Sequence, residues 1–152
     1  MKKLTAILVP LLLVSAQACK KNEPPPPPPT TAAPATTMPA PPSVTGVTLG
    51  KAVGDDKKVT AAAETFGTKD TIYASVDTAG TGHAKLRAVW AFTRGARTMQ
   101  VNDSTLEYES SGPNVSEFHV SKPSGWPKGD YKVEVYLNDA AAPAVTKTFK
   151  VG

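Results

Sequence analysis

The sequence predicts an all-β protein: one antiparallel sandwich of about seven strands, preceded by a leader and a proline-rich linker. Three observations carry this. Apolar and polar residues alternate at period two in short runs, β-branched and aromatic residues dominate those runs, and Gly, Pro, Asn, Asp or Ser clusters separate them. No apolar stripe of period 3.6 and useful length occurs anywhere. A chain of 152 residues holds one ordinary domain plus accessory segments. Its 15 prolines are about double the usual ~5% share, which points to a part that does not fold into a globule.

Residues 1–18 read as a secretion signal, with a basic start (Lys2, Lys3), an apolar run from Leu4 to Val14, and a small-residue exit, Ser15-Ala16-Gln17-Ala18, before Cys19. The run is 11 residues, broken by Pro10, well short of the ~20 needed to span a bilayer as a helix. Small residues ending at a cysteine resemble the lipobox of bacterial lipoproteins. That resemblance implies that Cys19 becomes the lipidated first residue of the mature chain, and Lys20 after it implies the outer membrane. Ala16-x-Ala18 also suits the ordinary signal peptidase, which would leave Cys19 unmodified.

Residues 19–43 form the linker. Between Pro24 and Pro42 it holds ten of the 15 prolines and no charge, so it cannot bury a core. In polyproline II form, at about 3.1 Å per residue, this stretch reaches on the order of 60 Å and holds the following domain off the membrane. It could also serve as a proline-motif ligand, or carry sugars on Thr30, Thr31, Thr36 and Thr37.

The charge follows the same division. The whole chain is +4, but residues 44–152 carry 13 basic and 12 acidic side chains, so the domain has no phosphate-binding footprint and no nucleic-acid partner is expected. Its one cysteine sits at the tether, so the core must hold without a disulfide.

Within residues 44–152 the strand signals come in order. Val44 to Leu49 and Lys57 to Phe66 form a pair joined by Gly54-Asp-Asp56, with a possible helical turn at Ala61 to Thr65. Then follow Ile72, Ala74 and Val76; Leu86, Ala88, Trp90 and Phe92; Leu106 and Tyr108; Phe118 and Val120; Tyr131, Val133, Val135 and Leu137; and Val145, Phe149 and Val151. Turns are expected at Ala79-Gly-Thr-Gly82, Thr93-Arg-Gly95, Val101-Asn-Asp-Ser104, Ser110-Ser-Gly-Pro113, Pro123 to Gly129 and Asn138-Asp139.

Gly129-Asp-Tyr131 opening the strand Lys132 to Leu137 resembles the tyrosine corner of immunoglobulin-like and fibronectin-type sandwiches, and Trp90 matches their buried tryptophan. The resemblance implies an Ig-like fold with Trp90, Tyr131 and Val133 in the core. Val133 stands where antibody domains have their second cysteine, and Ala74 or Val76 faces it from the opposing strand, so apolar packing replaces the disulfide.

Chemical motifs are sparse. His83, in a Gly-rich loop, and His119, outward between Phe118 and Val120, form no metal cluster. Gly80-x-Gly82 precedes strand-like rather than helical sequence, unlike a phosphate-binding loop. Glu107 and Glu109 lie about 7 Å apart along one strand face, but without the apolar pocket that separates the pKa values of a glycosidase pair. Asp55 and Asp56 suit a polar turn, not a hard-cation site of six or more oxygens. No nucleophile signature is present. A non-enzyme is expected, with no metal and no cofactor.

One surface exceeds this background. Lys85, Arg87, Val89 and Ala91 face outward on one strand and Lys132, Glu134 and Tyr136 on another, with Lys150 on the last strand beside them. Four cations against one carboxylate, with an apolar patch of Val89, Ala91 and Tyr136, suggest a docking face for an anionic or carbohydrate-bearing envelope polymer or for a protein partner. An accessory subunit or inhibitor of a periplasmic enzyme is the alternative role.

Overall fold

The computed structural model describes residues 39–152. The leader, Cys19 and the tether to residue 38 lie outside the described residues. The strands are β1 (Ser43–Gly50), β2 (Thr65–Phe66), β3 (Ile72–Ala79), β4 (Thr81–Arg94), β5 (Arg97–Ser111), β6 (Asn114–Val120), β7 (Gly129–Leu137) and β8 (Val145–Val151). One sheet has the order β1-β3-β6, the other β2-β8-β7-β4-β5. All pairings are antiparallel except β2 with β8.

This is the immunoglobulin arrangement. β1, β3 and β6 stand where strands A, B and E stand, and β8, β7, β4 and β5 where G, F, C and C′ stand. The tyrosine corner is closed: the Tyr131 hydroxyl donates to the Pro127 carbonyl at 2.7 Å. Burial pushes the Tyr131 pKa up, keeping the donor protonated. Tyr131→Phe leaves that carbonyl without its partner and is expected to cost about 1 kcal/mol, read as a lower urea midpoint with an unchanged slope.

The core lies where the inward residues of both sheets meet. Ile72, Ala74 and Val76 of β3 oppose Leu86, Ala88 and Trp90 of β4 and Val133 and Val135 of β7, each buried. Trp90 pairs in register with Val133 and meets the Phe149 ring edge-on at 6.0 Å. Tyr131 stacks on Phe149 at 5.4 Å, and Trp126 caps that stack edge-on at 5.7 Å. Trp126 was expected only within a turn. Although it sits in a loop it is 4% exposed, and its indole N–H donates to the Asp70 carbonyl at 2.9 Å. A loop tryptophan closes one end of the sandwich here.

Four further expectations are corrected. Residues 57–66 are not one strand, and no helical turn forms at residues 61–65. The chain must leave the β1 sheet for the other one, so its backbone bridges to β1 only between Gly50 and Ala62, then lays β2 parallel to β8. Val101 to Ser104 is not a turn: β5 runs unbroken to Ser111 and absorbs Val101 as a bulge opposite Trp90/Ala91. Polar residues there read as a turn because the strand is an edge whose side chains meet water. His83 lies within β4 opposite Glu109, not in a loop.

Candidate functional site

Adjacent strands β4, β7 and β8 place the expected docking residues on one sheet face. Arg87 is opposite Tyr136, Val89 opposite Glu134 and Ala91 opposite Lys132, while Lys150 is opposite Asp130. The charge balance differs from the expected one. Lys85 contacts Asp139 at 3.0 Å and Glu107 at 3.6 Å, and Arg87 Nε donates to both Asp103 carboxylate oxygens, at 2.9 and 3.1 Å. Lys132 meets Glu134 at 2.8 Å, and Lys150 lies 3.7 Å from Asp130. Every cation of the face therefore has a carboxylate beside it. Asp103 and Glu107 come from β5, the strand that the supposed turn had interrupted.

These contacts also set the titration. The Arg87 guanidinium holds the Asp103 carboxyl below its ordinary range, and Asp103 in turn raises Arg87. Lys85 is raised by its hydrogen bond to Asp139 and by Glu107. Arg87 also lies over the Tyr136 ring, 5.8 Å from its centre. Tyr136 is thus covered by a cation, and Ala91, expected to be exposed, is 2% exposed between its cross-strand neighbours Lys132 and Gln100. The apolar patch shrinks to Val89 and part of Tyr136.

A depression lies at one end of this face. One rung crosses all five strands: Thr65, Lys150, Asp130, Thr93 and Thr98. Four threonines (Thr65, Thr93, Thr98, Thr148) together with Lys132 and Lys150 line a cleft of about 490 Å³. Short hydroxyl side chains between longer ones produce the hollow. Isolated threonines carry no pattern in a sequence, so only strand register reveals them as a group.

The other candidate residues stay apart. Glu107 and Glu109 face Lys85 and His83 across β4, with 3.1 Å from His83 to Glu109. His119 sits 2.8 Å from Glu117 on its own strand. Asp55 and Asp56 line an open cleft of about 520 Å³ with Lys57, Lys58 and Asp77; Asp56 accepts the Lys58 amide at 3.1 Å and Lys57 has φ 62°. Among the described residues no three His, Cys, Asp or Glu side chains are grouped to hold a metal.

No protein-family model and no curated protein matches the chain. Among solved structures it is similar to a β-glucosidase of Erythrobacter marinus, with TM-score 0.52 and 9% identity over 74% of this chain and 16% of that one. The chain therefore spans about a sixth of that enzyme's length, and the likeness is one of fold. It is also similar to an immunoglobulin-like protein of Pseudomonas aeruginosa, with TM-score 0.49 and 12% identity over 74% of this chain and 98% of that one.

Proposed function

We propose that this chain is a non-enzymatic, lipid-anchored module of a bacterial outer membrane, with its Ig-like sandwich held off the bilayer by the proline-rich tether. The observation that carries this reading is the succession in one short chain: an apolar leader ending Ser15-Ala-Gln-Ala18, a lone cysteine at 19, ten prolines within residues 24–42, and a sandwich opening at Ser43. Each part has a use only beside the next. The acyl chains of a lipoprotein cysteine contribute roughly 0.8 kcal/mol per buried methylene, and more than one chain makes the anchor lasting.

The surface assigned to partner contact is the β4-β7-β8 face, and within it the threonine cleft beside Lys132 and Lys150. Its paired charges suit a partner recognised by hydrogen bonding, such as a hydroxyl-rich envelope polymer or a protein, over one held by net charge. Cys19→Ser, expressed in a bacterium, is expected to move the chain from the detergent-extracted membrane fraction to the soluble fraction. A Cys19→Ser chain that stays in the membrane fraction would overturn the anchor.

A further inference from the structure

Among the described residues β5 is the last strand of its sheet, 15 residues long and paired only on its β4 side. The large hydrophobic residues that stay exposed among the described residues all lie on it: Met99 (60%), Val101 (38%) and Leu106 (39%). Long edges of this kind are normally shortened, covered or blocked by proline, because their free N–H and C=O groups template a further strand. The two ends of this edge are oppositely charged. Arg94 and Arg97 flank the hairpin tip without an ion-pair partner among the described residues, while Glu107 and Glu109 lie toward the far end.

From these features we infer that two copies of this chain pair through β5, antiparallel about a two-fold axis, fusing their five-stranded sheets into one. Antiparallel pairing sets the basic tip of each copy beside the acidic end of the other, whereas parallel pairing would put like charges together. Side-chain direction fixes the register. The β4 partners place Met99, Asn102, Ser104, Leu106 and Tyr108 on the inner face and Thr98, Gln100, Asp103, Thr105 and Glu107 on the outer, with Val101 as the unpaired bulge residue. Opposed residues of paired strands share a face. With Asp103 on the axis, Asn102 opposes Ser104, Gln100 opposes Thr105, Met99 opposes Leu106 and Thr98 opposes Glu107, each a same-face pair. The exposed Met99 and Leu106 of both copies are covered in two pairs, and each Asp103 brings Arg87 as its counter-ion. A register centred on Thr105 would instead set Leu106 against Ser104 and Met99 against Ser110, leaving both apolar side chains without an apolar partner.

The test uses the full chain with cysteines at Met99 and Leu106, together and singly, oxidised in membranes and resolved without reductant. Cys19 is common to all three chains, so the contrast between them reports β5 alone. Met99→Cys with Leu106→Cys is expected to convert most of the chain to a covalent dimer. Each single variant should stay at the common background, because the two copies of either residue lie about 20 Å apart in this register. No enrichment of dimer in the double variant, or equal linking by a single one, overturns the proposal. Independently of any cysteine, the unsubstituted chain in detergent is expected to sediment as a dimer and Leu106→Lys as a monomer; a monomeric parent also overturns it.

Discussion

Replacing Trp90 by alanine is expected to cost about 3–5 kcal/mol, lowering the melting temperature by on the order of 10–30 °C. Trp90 is 1% exposed, pairs with Val133 and meets Phe149, so its removal empties the centre of the sandwich between β3, β4 and β7. Two features set the size of the loss. No disulfide links the two sheets, since Val133 and the β3 residues Ala74 and Val76 are apolar. A domain of this size has only ~5–15 kcal/mol of net stability. The indole N–H has no hydrogen-bond partner among the described residues, so Trp90→Phe gives up less than the full side chain and also removes a buried unpaired donor. Phenylalanine should therefore keep most of the stability. An alanine variant melting within about 5 °C of the parent would show that Trp90 does not hold the sheets together.

Gly80→Ala should have the next largest effect. Gly80 turns β3 into β4 with φ 104°, and a Cβ there would lie 2.2 Å from the Pro41 carbonyl oxygen. The left-handed backbone alone costs a substituted residue about 1–3 kcal/mol. The clash adds to it by pushing residues 40 and 41 away and breaking the Thr81 amide bond to the Ala40 carbonyl, 2.8 Å in the parent. Gly82 provides the control: its φ is 107°, but nothing lies within 4 Å of an added Cβ. Gly82→Ala should show the backbone strain without the contact. Gly80→Ala is expected to melt lower than Gly82→Ala and to exchange the Thr81 amide faster. Equal behaviour of the two variants would mean that residues 40 and 41 are not docked on this turn.

The sandwich was legible because its inner strands are buried on one face. Ile72-x-Ala74-x-Val76, Leu86-x-Ala88-x-Trp90 and Tyr131-x-Val133-x-Val135 alternate as such strands must, and Tyr131 near a glycine marks the corner. Where burial does not alternate, the sequence is silent. β5 has water on one edge, so its polar residues Asn102, Asp103 and Ser104 look like a turn, which hides Asp103 as the partner of Arg87; Glu107 reads as an outward strand residue, but its place opposite Lys85 depends on register. Residues 57–66 cross between sheets with isolated bridges and a two-residue strand, too short for any period. Trp126 is buried from a loop, where no periodicity can announce it. On the docking face the positions of Lys85, Arg87, Lys132 and Lys150 could be placed from alternation, but their pairing depends on cross-strand register, which alternation does not specify.

Intact-mass spectrometry of the chain extracted from bacterial membranes tests the central claim most directly, because the anchor, the tether's purpose and the envelope setting all depend on Cys19. A mature chain that begins at Cys19 and carries a diacylglyceryl increment, with or without an N-acyl group, is the result the account predicts. A chain with an unmodified Cys19, recovered from the soluble fraction, would contradict it.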